Sequence, residues 1–109
     1  MMLFNADKKR RFFIMILSQL SIAPVGVGVS LSKYVKIVLD VLQENNIKFE
    51  TNDMATVIET KDLDTLFDVV KKAHVAVLDM GAKRVITELK IDDRRDKDIR
   101  LGTKVKSLQ

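Results

Sequence analysis

Cysteine is missing from this 109-residue chain, and histidine occurs once, at His74. Without cysteine there can be no disulfide, no zinc–thiolate centre and no thiol nucleophile, and nothing points to an oxidising compartment. A single histidine removes every multi-histidine metal site. Proline is also a single residue, Pro24, and only four glycines are present. Long hydrophobic runs are absent too. The longest, Phe12 to Leu17, is broken by Ser18 and Gln19 and is far too short to span a bilayer. With Lys8 to Arg11 before it, this run resembles a short signal sequence, but Pro24-Val25-Gly26 is a poor cleavage site. Residues 1–13 therefore read as a basic leader joined to a first strand, with Met15 as a possible second start. A cytoplasmic location is expected.

What is present is an ordinary globular balance of 47% hydrophobic and 31% charged residues, enough for one domain over residues 14–109 and too little chain for two. The net charge is +4, but Lys8, Lys9, Arg10 and Arg11 against Asp7 supply +3 of it, leaving +1 for residues 12–109. The body of the chain thus lacks the basic face of a nucleic-acid binder, and nucleic acid is not expected as a partner.

Periodicity gives the order of elements. Leu20 and Ile22 alternate with Gln19 and Ser21 in a first strand, Ile14 to Ala23, which Pro24 ends. Gly26 and Gly28 free the next loop for close backbone approach. Ser30 or Ser32 is placed to cap a helix reaching Asn45, with a stripe of Val35, Val38, Leu39, Val41 and Leu42. Ile47 to Asn52 forms a second strand, Asn52-Asp53 a tight turn, and Met54 to Thr60 a third strand. Asp62 caps a second helix, Leu63 to Met80, stopped by Gly81, whose expected buried face is Leu63, Leu66, Phe67, Val70, Ala73, Val77 and Leu78. Arg84 to Asp92 is the last strand, and a short helix is expected from about Asp98 to Leu108. The order β-α-β-β-α-β predicts an α+β, ferredoxin-like two-layer sandwich with both helices on one sheet face. The other face, with Gln19, Ser21, Asn52, Glu88 and Lys90, is expected to be open to a ligand or a second copy.

Few groups are arranged for chemistry. The loop Pro24 to Ser32 sets two glycines and two hydroxyls before a helix N-terminus, a weak anion cradle without the Walker lysine or the third dinucleotide glycine. His74 lies beside an apolar stripe with no nucleophile or acid at a diagnostic spacing, so no catalytic role is assigned to it. Asp92, Asp93, Asp96 and Asp98 lack calcium-loop spacing and are interleaved with Arg94, Arg95 and Lys97, so no metal is expected. No cofactor is implied, and no catalytic residue is assigned. The run Lys90 to Asp96, K-I-D-D-R-R-D, follows a strand without a turn residue. Taken alone it reads as a solvated strand exit, an inter-subunit ion cluster or the rim of a site.

S-I-A-P-V-G, S-L-S-K-Y-V, M-A-T-V-I-E, D-L-D-T-L, K-K-A-H and R-V-I-T-E-L-K-I-D-D-R-R-D together resemble the small thiamine-binding-protein family, from about Leu17 to Leu108. The resemblance implies a non-enzymatic, ferredoxin-like subunit that assembles into dimers or tetramers through its sheets. It also implies thiamine or its hydroxymethylpyrimidine part as ligand, in a cleft between subunits. Motif position and the open sheet face suggest Ser30, Ser32, Asn52, Met54 and Thr56 as its lining, with Glu88 favouring a thiazolium cation. The family usually carries glycine where this chain has Ala55. In this setting Asp92, Arg94 and Arg95 are expected near a subunit boundary. The alternative is a structural or regulatory module that assembles through the open sheet face and takes no small molecule.

Overall fold

The computed structural model describes residues 15–109, and the expected basic leader lies outside them. The elements are β1 (Ile16–Pro24), α1 (Ser32–Glu44), β2 (Lys48–Thr51), β3 (Thr56–Thr60), α2 (Leu63–Asp79), β4 (Val85–Asp92) and a single-turn α3 (Thr103–Lys106). The sheet order is β2-β3-β1-β4 with every neighbouring pair antiparallel, which is the ferredoxin-like arrangement.

Strand alternation decides what each face carries. Ile16, Leu20 and Ile22 of β1, Ile58 of β3 and Leu89 of β4 face the helices. There they meet Tyr34, Val38 and Leu42 of α1 and Leu66, Val69, Val70, Ala73 and Val77 of α2. Each fully buried aliphatic side chain in this layer contributes about 1.5–3 kcal/mol of transfer free energy. Two hydroxyls, Ser18 Oγ and Thr60 Oγ1, are buried on the same face without a hydrogen-bond partner among the described residues.

The helix ends follow local chemistry, with one departure. Asp62 caps α2, its carboxylate accepting the Thr65 N–H at 2.7 Å. Asn46 takes φ 58° after α1. The Asn46 N–H then reaches the Gln43 carbonyl and the Ile47 N–H the Leu42 carbonyl, which closes the helix C-terminus. The N-terminus of α1 has no side-chain cap, because Leu31 occupies the capping position. Ser30 lies one residue too early and Ser32 is already helical, so the expected serine cap does not form. Gly26 and Gly28 take φ of +80° and +95°, and a Cβ at either would meet no atom within 4 Å. Both take the left-handed backbone that favours glycine, and no described group of this chain packs against them.

Two expectations about packing are corrected. Phe67 and Leu78, placed on the buried stripe of α2, are 52% and 39% exposed, while Val69 takes a core position. The stripe is rotated toward α1, its neighbour in the helix layer. The outer sheet face is also not wholly open. Glu59 points to that face, yet is only 4% exposed, because the chain after β4 folds back over it. Its carboxylate accepts the Arg100 Nε at 2.8 Å and the Leu101 N–H at 3.0 Å. Lys104 reaches Asp92 at 3.1 Å on the far side of Leu17. Ile99, 4% exposed, is buried apart from the main core. The C-terminal segment is thus a strap across one end of the outer face. The tail helix is one turn long because Arg100 and Leu101 are committed to Glu59 and Gly102 turns left-handed at φ 86°.

Candidate functional site

β1 runs on from Leu20 to Pro24 after β3 has ended at Thr56, its last partner in that strand. This mismatch leaves a notch at one end of the sheet, closed by the hairpin between β2 and β3. The turn is centred on Asp53 and Met54, one residue later than the Asn52-Asp53 expected from sequence. The Asn52 side chain organises it, Oδ1 accepting the Met54 N–H at 2.8 Å and the Ala55 N–H at 3.1 Å. The Asn52 N–H donates back to the Ala55 carbonyl at 2.9 Å. With this register Thr51 and Thr56 face each other, and their hydroxyls are hydrogen bonded at 2.9 Å.

Two clefts adjoin the hairpin, one on each side of the sheet. The helix-side cleft, of about 120 Å³, is bounded by Leu20, Ser21, Ile22, Val35 and Val38 and by the hairpin from Thr51 to Thr56. One wall is aliphatic; the other offers the Thr51 and Thr56 hydroxyls, the Asn52 amide and the Asp53 carboxylate. The outer cleft, of about 370 Å³, is bounded by Gln19, Ser21, Met54, Ala55, Glu88, Leu89 and Lys90. Met54, 86% exposed, borders both clefts, as do Ala55 and Ser21. Its flexible thioether can therefore close over an occupant of either. Ala55 has no positive φ, so its methyl group adds bulk without backbone strain. By strand alternation that methyl lies on the outer face, toward the larger cleft.

The structure brings some of the expected ligand residues together and separates others. Asn52, Met54 and Thr56 line the helix-side cleft, and Met54 and Glu88 line the outer one. Ser30, ahead of α1, and Ser32, its first residue, are exposed and line neither cleft. Thr51 and Asp53 were not anticipated. The hairpin register would have revealed the facing threonines had the turn been placed one residue later. Among the described residues no group of three or more His, Cys, Asp or Glu side chains is placed to hold a metal ion. No helix there is long and apolar enough to cross a membrane.

The charge run after β4 is matched internally. Arg94 pairs with Asp96 at 2.7 Å, Arg95 with Asp93 at 2.6 Å, and Asp92 with Lys104. The first two are partly to largely exposed pairs within one loop, the pattern of a solvated strand exit, and the third ties the end of β4 to α3. The Arg94 hydrogen bond holds the Asp96 carboxyl below its ordinary range. Among the described residues the buried carboxylate in an ion pair is Glu59, a residue not singled out from the sequence. Burial pushes its carboxyl upward, but the Arg100 and Leu101 hydrogen bonds and the Arg100 and Lys48 charges outweigh this. The net shift is below the ordinary glutamate value.

The sequence pattern of the family described as thiamine-binding protein matches residues 18–109. The chain belongs to that family. It is 46% identical to a UPF0045 protein of Methanothermobacter thermautotrophicus over 96 residues, covering 87% of this chain and 97% of the relative. A solved structure of a hypothetical protein from Methanocaldococcus jannaschii superposes with a TM-score of 0.79 at 41% identity, covering 86% of this chain and 95% of that one. A Thermotoga maritima protein provisionally assigned to thiamine biosynthesis or salvage superposes with a TM-score of 0.73. At 19% identity, over 87% of this chain and 99% of that one, it shows the shared fold alone.

Proposed function

We propose that this chain is a non-enzymatic, homo-oligomeric binding protein for thiamine or a related pyrimidine, acting in the handling or sensing of the vitamin in the cytoplasm. The observation that carries the reading is the helix-side cleft, where Thr51, Asn52, Asp53 and Thr56 face the aliphatic wall of Leu20, Ile22, Val35 and Val38. An aminopyrimidine needs donors and acceptors along its edge and apolar contact on its ring faces, and this wall pairing supplies both. Glu88 on the other side of Met54 can attract a cationic thiazolium that extends past the hairpin. Membership of the thiamine-binding protein family supports the same ligand class. Titration calorimetry of the full chain with thiamine and with hydroxymethylpyrimidine tests the reading. Saturable heat is expected with at least one; none from folded protein at millimolar ligand would sink it.

A further inference from the structure

Val29 is completely exposed, an apolar side chain held out between Gly28 and Ser30. The loop that carries it is rooted at two points. The Val25 N–H donates to the Arg84 carbonyl at 2.8 Å, and Val27 packs against the core. Past Val27 the chain is loosely held. Gly28 takes φ +95° with open space around it, and among the described residues Gly28, Val29 and Ser30 make no hydrogen bond to another element. α1 then starts without a side-chain cap, with Leu31 at the capping position. The first N–H groups of a helix lack intrahelical acceptors, so a better-capped arrangement is available to this terminus.

We propose that residues 28–31 are a lid that closes over a pyrimidine in the helix-side cleft, and that Val29 touches the ligand although it lines no cleft in the open form. The lid rests on the binding reading given above. Its place in the fold supports it. β1 ends at Pro24 on the same side of the sheet as the hairpin, since Leu20 pairs with Thr56. The apolar wall of the cleft includes Val35 and Val38 of α1. Leu31 precedes Val35 by one turn and stands about 6 Å further along the same flank. Both side chains are exposed, so the wall runs uncovered from the cleft to the loop. Four residues span at most about 13 Å, so the segment can fold back along this wall without moving its root.

Closure has two gains. A bound ring offers Val29 an apolar face that the solvated cleft does not, so the ligand selects the closed form by this added contact. Winding Leu31 fully into α1 also makes Ser30 the residue before the helix. The Ser30 hydroxyl then accepts the Ser32 or Lys33 N–H, and the helix gains the cap it lacks in the open form. Gly28 is the hinge, because a residue without Cβ crosses between positive and negative φ at little cost. Ser30 thus serves the site through the helix terminus and not as a direct ligand contact.

Hydroxymethylpyrimidine and thiamine are the probes, and the full chain is used throughout. Hydrogen exchange should show the amides of residues 29–33 slowing on saturation with ligand, together with those of the hairpin. Val29→Ser should leave the thermal midpoint of the free protein unchanged, because that side chain lies wholly in solvent. By calorimetry the same variant should raise Kd about tenfold or more. Ser30→Ala should raise Kd about fivefold, and Ser30→Asp, an equally good cap, should bind as the native chain does. A serine that donated directly to the ligand would not be rescued by aspartate, so failure of that rescue overturns the capping role. Exchange at residues 29–33 that does not change in the saturated protein overturns the lid, as does native affinity in Val29→Ser. Either result, with heat still evolved, leaves the binding reading standing. Absence of heat from the native chain sinks that reading and the lid with it.

Discussion

The two faces of the sheet are built on opposite principles. The helix face is closed by shape: Leu20, Ile58 and Leu66 are at most 2% exposed and interlock with α1 and α2. The outer face is closed only at one end, and there by charge, where Glu59 receives Arg100 and Leu101 from the strap. Apolar burial is non-directional and sums over many contacts, whereas one buried carboxylate depends on a few partners. The first face can absorb small errors; the second turns on a single residue.

The comparison is broken most severely from the helix side. Leu66→Ala, at a site with no exposure, should lower unfolding free energy by about 2–5 kcal/mol in a denaturant titration. Glu59→Gln should cost less, about 1–3 kcal/mol, and should speed proteolysis after β4 while leaving the helix-face amides protected. Acid acts on the same contact. The folded carboxyl titrates below its unfolded value, so the contribution of Glu59 is complete above the ordinary glutamate value and is lost as pH falls through the lower, folded one. Proteolysis of the strap should therefore rise at acid pH in the native protein and change little with pH in Glu59→Gln.

Smaller effects sharpen the contrast. Thr56→Val removes a hydroxyl from the helix-side cleft while keeping its volume. It should weaken thiamine or hydroxymethylpyrimidine binding about five- to tenfold by calorimetry, with under about 1 kcal/mol change in stability. The Arg94→Ala, Arg95→Ala double variant removes two intraloop pairs screened by solvent and should leave the denaturant midpoint nearly unchanged. Sizing of the same variant decides the loop's other assignment, since a loosened assembly would put Arg94 and Arg95 at a subunit boundary.

Much of the fold was legible because its signals are local. The alternation of β1, the Asp62 cap, the Asn45-Asn46 stop and the order of elements all follow from neighbouring residues. The cleft was legible in part. Asn52, Met54 and Thr56 fell together because a hairpin keeps near residues near, while Ser30 and Ser32 stayed outside because a loop's path is not written in its hydroxyls. The exposure of Phe67 and Leu78 was invisible, since periodicity defines a stripe but not the angle at which a helix settles on its sheet.

The sequence by itself determined the topology, the family and the hairpin that carries the candidate site, because caps, turns and hydrophobic period act over a few residues. Only the tertiary structure decided that Glu59, 41 positions from Arg100, would be buried on the outer face. It also decided that β3 would end short of β1, opening a notch, and that the charges after β4 would satisfy one another. These outcomes depend on which distant groups meet, and in a chain of this length that is fixed by how the layers pack.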